Sequence, residues 1–297
     1  MSQTKVSVVI PAFNESHNIG ELIQQIKQRY PDFEIVVVDD GSADNTAAVA
    51  ADAGALVLSH PYNIGNGAAI KSGIRTATGD ILVFMDGDGQ HDPEDIAKML
   101  EHMPEFDMVV GARVKGSQAS VGRGIGNMIY NWLGSYVSNF SIKDLTSGFR
   151  AVKADVARSF IYLLPNTYSY PTTITLGVLR TGRSVKYIPI TARPRNKGSS
   201  NIRLYHDGVK FFMIIVRICT LYSPMRIFLP VSLIMFLLGS VRYLYSFITE
   251  GRFTNMSALL YVSSVIVFMM SLISEQICQM RFERRAVRRN NRNNPMD

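Results

Sequence analysis

Two apolar stretches near the carboxyl end restrict this chain more than any other feature. Ile227–Thr249 runs for 23 residues with one charge, Arg242, and Phe253–Ser274 runs for 22 with none. As helices, each is long enough to span a ~30 Å hydrocarbon core. Only Glu250-Gly251-Arg252 and their neighbours separate them, which predicts a tight helical hairpin over 225–280, with spans at about 227–249 and 253–275. Arg242 falls toward the distal end of the first span, placed to snorkel or to line the helix pair. Gly239, Ser240, Ser263 and Ser264 are small residues through which copies of the hairpin can associate as a homo-oligomer.

The flanks set an expected orientation. Net charge is +7, and six arginines (281, 284, 285, 288, 289 and 292) crowd the tail at 281–297. A nucleic-acid tail is one reading of such a run. Its place directly after an apolar span instead favours cytoplasmic retention and anionic lipid headgroups, with no nucleic acid. Two spans return the chain to its starting side, so both termini and the preceding domain are expected in the cytoplasm. Met1–Lys5 leads straight into a strand, so no signal peptide is expected. Cys219 and Cys278 are the only cysteines, which fits a reduced compartment. Upstream, Arg203–Tyr222 carries charged groups at 203, 206, 207, 210 and 217 beside Phe211, Phe212, Ile214, Ile215 and Ile218. That pattern predicts an interfacial amphipathic helix over 203–224, with a core helix as the alternative.

Residues 1–202 read differently. Strands at Lys5–Ile10, Phe33–Val38, Ala55–Ser59, 81–85 and Asp107–Gly111 alternate with helices at Ser16–Tyr30, to about Ala53, over Ala68–Ala77 and after Pro93. Repeated βα units predict an α/β fold with a doubly wound, mostly parallel sheet. Such sheets bind ligands at the carboxyl ends of their strands. Those ends carry Pro11-Ala12-Phe13-Asn14-Glu15, then Asp39-Asp40, then Asp86, Asp88 and Gln90, then Gly111-Ala112-Arg113. Asp86 and Asp88 repel on one short turn unless a cation lies between them; Mg²⁺ or Mn²⁺ suits such oxygen ligands and shares them with phosphates. Carboxylates at three strand ends and an arginine at a fourth suit a metal-bound phosphate compound. Asp39 or Asp40 is placed to accept hydrogen bonds from a nucleoside, and Asp40-Gly41-Ser42 also reads as a turn with a helix cap. The loop Asn63-Ile64-Gly65-Asn66-Gly67 can bring backbone close to that ligand. No Gly-x-Gly-x-x-Gly follows the first strand and no P-loop motif occurs, which argues against dinucleotide and P-loop sites.

Five segments, in order, carry a resemblance: Val-Val-Ile-Pro-Ala-Phe-Asn-Glu at 8–15, Val-Val-Asp-Asp-Gly-Ser-Ala-Asp at 37–44, Met-Asp-Gly-Asp-Gly-Gln-His at 85–91, Thr-Ser-Gly-Phe-Arg at 146–150 and Arg-Asn-Lys-Gly-Ser-Ser-Asn at 195–201. Over about residues 5–205 the chain resembles glycosyltransferase family 2, and within it the polyprenyl-phosphate glycosyltransferases of the dolichol-phosphate mannose synthase group. The resemblance implies a GT-A type, Rossmann-like fold. It also implies metal-dependent, inverting sugar transfer from a nucleotide-diphosphate sugar to a dolichyl or undecaprenyl phosphate. Asp86, Asp88 and Gln90 match the metal-binding run, which usually reads Asp-Ala-Asp-Leu-Gln; Gly87 and Gly89 are expected to loosen the turn. Pro11, Ala12, Asn14, Glu15, Asp39 or Asp40, and Gly67 match the donor nucleotide pocket. Arg113, Arg123, Ser147 and Arg195 fall where the family binds the acceptor phosphate. Asp86, Asp88, Arg113 and Arg195 are the expected catalytic set. Asn201 stands where the Arg195 run usually ends in lysine. Two local readings stay open: Arg150 pairing with Asp144, and His91 capping the helix after it.

The chemistry agrees. A phosphate acceptor is already ionised, so transfer needs positioning and charge management more than a strong base. Of the rivals, a processive polysaccharide synthase needs Gln-x-x-Arg-Trp, whereas the single tryptophan, Trp132, lies in Tyr-Asn-Trp-Leu-Gly. A nucleotidyltransferase needs a glycine-rich basic loop where Pro-Ala-Phe-Asn-Glu stands. A catalytically silent membrane scaffold, or a family 2 enzyme with another acceptor, is the remaining alternative.

Overall fold

The computed structural model describes residues 4–114, 121–166, 169–191 and 223–293, without the side chains of 121–127, 129 and 281–293. Arg195, Asn201, Cys219 and the expected helix at 203–222 lie outside the described residues, as do the side chains of Arg123 and of the tail arginines. The chain divides into two compact units, Met1–Ile202 and Arg203–Asp297.

The first unit is built on β1 (Val6–Ala12), β2 (Glu34–Asp39), β3 (Leu56–Ser59), β4 (Ile81–Phe84), β5 (Met108–Arg113), β6 (Arg150–Lys153) and β7 (Val185–Ile190). They form one sheet in the order β3-β2-β1-β4-β6-β5-β7. All neighbouring pairs are parallel except those of β6, which runs antiparallel between β4 and β5. The helices are α1 (Ile19–Arg29), α2 (Thr46–Asp52), α3 (Asn66–Thr76), α4 (Asp95–Leu100), α5 (Val121–Ser138), α6 (Ala154–Phe160) and α7 (Tyr170–Arg180). The central strands are buried on both faces, which is why Val8, Val9, Ile10, Val36, Val37, Val38, Leu82, Val83 and Phe84 read as unbroken apolar runs. Helix α1 turns Ile19, Leu22, Ile23 and Ile26 inward at helical spacing. Each such side chain contributes roughly 1.5–3 kcal/mol by leaving water.

Register brings the strand ends level. Ala12 pairs with Asp39, Asp39 with Ser59, and Val9 with Phe84. Continuing the last pairing by two residues sets Asp86 beside Pro11. The first strand does not stop at Ile10 but continues through Pro11 to Ala12. Val9 accepts from Met85 on the β4 side, and Ala12 from Asp40 on the β2 side. Pro11 therefore turns its missing N–H toward β4, beyond the last β4 pairing, where no ladder bond is lost.

In the second unit, α8 (Met225–Glu250) and α9 (Asn255–Asn293) pack as a hairpin. Gly251 closes α8 in the left-handed conformation, φ +64°, its amide on the Phe247 carbonyl. Their most apolar windows are only 11% and 17% buried. A water-soluble core helix would be mostly buried, so these helices suit a bilayer. Between them Ser232 and Ser264 exchange hydrogen bonds (3.0 and 2.9 Å), and the Tyr261 hydroxyl donates to Ser240. A Cβ on Gly239 would lie 3.2 Å from Leu260. Thus three of the four small residues, Gly239, Ser240 and Ser264, lie in the contact between the two helices of one chain. The second helix continues past the expected end at 275 to Asn293, because Glu, Arg and Ala in that stretch are good helix formers.

Candidate functional site

A cleft of about 500 Å³ opens at the carboxyl ends of β1, β2 and β4. Pro11, Ala12, Phe13, Glu15, Asp40, Asp86, Gly87 and Asp88 line it, with Asn63, Ile64, Gly65, Asn66 and Ala69 on the facing side. Phe13 is 45% exposed there, an apolar ring at the rim of a polar cleft. A single aromatic in a loop carries no periodic signal, so this placement is not legible in the sequence.

Asp40 organises the facing wall. Its Oδ2 accepts from the Gly65 amide (2.7 Å), and Oδ1 accepts from the Ile64 amide (3.0 Å) and meets His60 Nδ1 (2.7 Å). His60 Nε2 meets Ser72 Oγ (2.9 Å) in α3. Gly41, at φ +73°, makes the approach possible, since a Cβ there would stand 2.5 Å from the Tyr62 backbone. Asp39 is also buried and uses Oδ1 on the Ser42 amide (3.2 Å). Asp40-Gly41-Ser42 does not cap α2: the helix's N-cap residue is Asn45, and Asp44, just before it, accepts from the Thr46 amide. Asn14, at φ +56°, joins two loops: its Oδ1 accepts from the Ala43 amide and its own amide donates to Ser42. Asn14, Asp39 and Gly67 do not line the cleft; Gly67 is buried in the first turn of α3.

Asp86 and Asp88 both face the cleft. Asp88 Oδ1 accepts from the Gln90 amide (3.1 Å). The glycines shape this turn more than they loosen it: Gly89 is left-handed at φ +70°, and a Cβ on Gly87 would lie 3.3 Å from the Pro11 carbonyl. His91 does not cap the next helix. Its ring stacks on Phe149 (4.8 Å between centroids), and Nε2 lies 3.9 Å from Asp86 Oδ2. Burial pushes the imidazole down to about 4, so it is neutral at physiological pH. Among the described residues no three His, Cys, Asp or Glu side chains form a full metal set. Two carboxylates on one turn fit Mg²⁺ or Mn²⁺ that draws its other oxygen ligands from phosphate and water.

Across from this turn lies the Asp144–Arg150 loop. Arg113 donates to both oxygens of Asp144, from Nε at 2.8 Å and Nη2 at 3.1 Å, and from Nη2 to Thr146 Oγ1. Hydrogen bonding to Asp144 raises the guanidinium pKa. Burial pushes the Asp144 carboxyl up, but Arg113 and the loop donors outweigh it and hold the group below its ordinary value. Asp144 thus takes Arg113, and Arg150 turns elsewhere. Arg150 is fully buried and donates to the Pro171 and Ser147 carbonyls and Thr175 Oγ1, fixing the loop from beneath. The loop rests against the carboxylate turn: a Cβ on Gly148 would stand 2.7 Å from Asp86 Oδ2. Ser147 Oγ is buried with no hydrogen-bond partner among the described residues. Asp144, expected as a partner for Arg150, pairs with Arg113 instead, and Gly148 has no role legible in sequence; Asp-x-Thr-Ser is a turn signal from which the Arg113 partnership cannot be inferred.

The profile of glycosyl transferase family 2 matches residues 7–160, and that of the GtrB C-terminal hairpin matches 223–280. The chain is 28% identical to an undecaprenyl-phosphate mannosyltransferase of Micrococcus luteus, covering 67% of this chain and 87% of that protein. It is 28% identical to a polyprenol monophosphomannose synthase of Mycolicibacterium smegmatis, covering 66% and 80%. Among solved structures, glucosyl-3-phosphoglycerate synthase of Mycobacterium tuberculosis superposes with a TM-score of 0.60 at 20% identity, over 73% of this chain and 80% of that one.

Proposed function

This chain belongs to glycosyl transferase family 2 and is a glycosyltransferase of the GT-A type fold; we propose that it moves a sugar from a nucleotide-diphosphate donor to a polyprenyl phosphate at a membrane. One observation carries the reading. The Asp86–Asp88 turn shares a cleft with Pro11, Ala12, Phe13 and Glu15 and touches, through Gly148, the loop that carries Ser147 and holds Arg113 through Asp144. The names of the relatives supply the acceptor class.

Asp86 and Asp88, with Gln90 beside them, would hold Mg²⁺ or Mn²⁺. Such an ion neutralises charge on the departing nucleoside diphosphate. Pro11, Ala12 and Phe13 receive the nucleoside, whose base can stack on the Phe13 ring. Of the two acidic residues ending β2, Asp40 lines the cleft but already binds two loop amides and His60, whereas Asp39 lies outside the cleft lining and binds the Ser42 amide; either could accept base or ribose hydrogen bonds. On the acceptor side the Nη1 edge of Arg113 is a donor for a phosphate, with Arg123 and Arg195 as further cations; the Ser147 hydroxyl, buried in the adjoining loop, would reach a phosphate only if that loop shifts. The lipid phosphate is already ionised, so its oxygen attacks the anomeric carbon directly, the bond to the diphosphate breaks, and the configuration inverts. A polyprenyl tail stays in the bilayer, since each CH₂ costs about 0.8 kcal/mol in water. The α8–α9 hairpin keeps the enzyme at that surface, and the arginine tail favours a cytoplasmic catalytic unit.

Asp88→Ala tests the assignment. Transfer should vanish while circular dichroism and unfolding temperature stay at wild-type values. Retained turnover in the folded variant would show that the ion binds elsewhere.

A further inference from the structure

The cleft wall that faces the carboxylate turn is held by a side chain outside the cleft lining. The chain leaves β3 at Ser59, crosses a short loop and enters α3 at Asn66. Asn63, Ile64, Gly65 and Asn66 of this crossing line the cleft, as does Asp40, whereas His60 and Ser72 do not. Yet His60 ties the crossing to its surroundings on three sides. Its backbone amide donates to the Asp39 carbonyl (2.8 Å), its Nδ1 meets Asp40 Oδ1 (2.7 Å), and its Nε2 meets Ser72 Oγ (2.9 Å) in the second turn of α3.

The Asp40 carboxylate explains the need for the imidazole. Its side chain is 4% exposed. A buried carboxylate is tolerated when its oxygens are paired. The Gly65 amide takes Oδ2, while the Ile64 amide and His60 Nδ1 share Oδ1. Both amides belong to the loop, so they follow the carboxylate wherever it turns. His60 is anchored at the end of β2 and on α3, so it sets the direction of the carboxylate and with it the height of Ile64 and Gly65 in the cleft. Gly65, at φ +123°, has no Cβ to restrict its backbone, so the course of the loop depends on these bonds.

Carboxylate, imidazole and hydroxyl in this order also describe a nucleophilic relay. Ser72 is half-buried in α3 and outside the cleft lining, so a ligand in the cleft does not meet its hydroxyl. The arrangement serves geometry. We infer that His60 is a positioning residue for donor binding: through Asp40 it holds the Ile64–Gly65 wall at the height a bound nucleotide needs. The Asp40 arm of the ring carries this role, and the Ser72 arm steadies the ring. The inference rests on the proposed nucleotide-sugar donor and adds a residue that the cleft lining alone does not reveal.

Two amide substitutions separate the arms. The amide of asparagine overlies Nδ1, so His60→Asn keeps the bond to Asp40 and gives up Ser72. The amide of glutamine overlies Nε2, so His60→Gln keeps Ser72 and leaves Asp40 short of a donor. Binding of GDP and of UDP to full-length protein in detergent with Mn²⁺ is measured by isothermal titration calorimetry, beside thermal unfolding. For the nucleotide that the wild type binds more tightly, His60→Asn should stay within about threefold of wild-type affinity and His60→Gln should bind about tenfold more weakly, the lower end of what a hydrogen bond to a charged group contributes. Equal affinities in the two variants, or tighter binding by His60→Gln, would overturn the inference, because an imidazole that serves only the fold lowers stability without separating its arms in affinity. Hydrogen exchange of the wild type adds a reading that needs no variant: the Ile64 and Gly65 amides should exchange more slowly once nucleotide binds, and unchanged exchange there would also overturn it. A folded wild type that binds neither nucleotide would instead overturn the donor reading beneath it.

Discussion

Gly148→Ala isolates the contact between the loop and the carboxylate turn. The backbone at Gly148 is outside the left-handed region, so alanine suits it conformationally. The cost falls on Asp86: the new Cβ would stand 2.7 Å from Oδ2 and 3.3 Å from Oδ1, where ordinary contact begins at 3.4 Å, so the nearer oxygen must retreat by about 0.7 Å. The Asp86 side chain is 33% exposed and can swing toward the cleft, so the fold should absorb the change. Stiffening of the unfolded chain by Gly→Ala gives back about 0.4–1 kcal/mol, and net stability should move by less than about 1 kcal/mol. Catalysis should be far more sensitive, since a misplacement of about 1 Å costs on the order of 100-fold. The assay is initial transfer rate against Mg²⁺ or Mn²⁺ concentration, with thermal unfolding in parallel. The account expects a rate loss of roughly 10- to 100-fold and a higher metal requirement. Gly182→Ala, at φ +71° with open space around it, should instead cost about 1 kcal/mol of stability and leave the rate alone. A wild-type rate for Gly148→Ala at every metal concentration would refute the reasoning.

Three further outcomes follow from the same contacts. Arg113→Met strands the buried Asp144 carboxylate and should destabilise the domain by about 3 kcal/mol or more, read as a fall in unfolding temperature. Asp144 has a folded pKa below its ordinary 3.8, so its stabilisation is present above that value and lost as pH falls through the folded one. Wild-type acid unfolding should therefore steepen below about pH 4, and Arg113→Met should flatten that limb. In the hairpin, Ser232→Ala with Ser264→Ala should cost about 1 kcal/mol, measured by unfolding in bicelles; Gly239→Ile should cost more, because Leu260 already lies at 3.2 Å from a Cβ there.

The parts of this molecule that announce themselves in sequence are those with a period or a run. The apolar strands β1, β2 and β4, the amphipathic α1 and the two hairpin helices are of that kind. β6 is four residues, Arg-Ala-Val-Lys, and begins at a fully buried arginine that hides its strand character. β7 contains Pro189, tolerated because β7 is an edge strand, and so reads as a broken strand. At the site, Asp86 and Asp88 are legible because two carboxylates ending an apolar strand need a cation. The division of labour between Asp39 and Asp40 is not, since it depends on where the amides of Ile64 and Gly65 point. Likewise, that Asp144 takes Arg113 and leaves Arg150 to backbone carbonyls is a fact of tertiary packing.

The central claim, sugar transfer onto a lipid phosphate, has a direct measurement. Purified full-length protein would be incubated with Mg²⁺ or Mn²⁺, a polyprenyl phosphate and a panel of GDP- and UDP-sugars, and the lipid fraction read by mass spectrometry. The account predicts one hexose or hexose derivative added to the lipid phosphate from one donor. It also predicts loss of that product on chelation or in Asp88→Ala. A folded, metal-loaded protein that yields no glycolipid from any donor would contradict it.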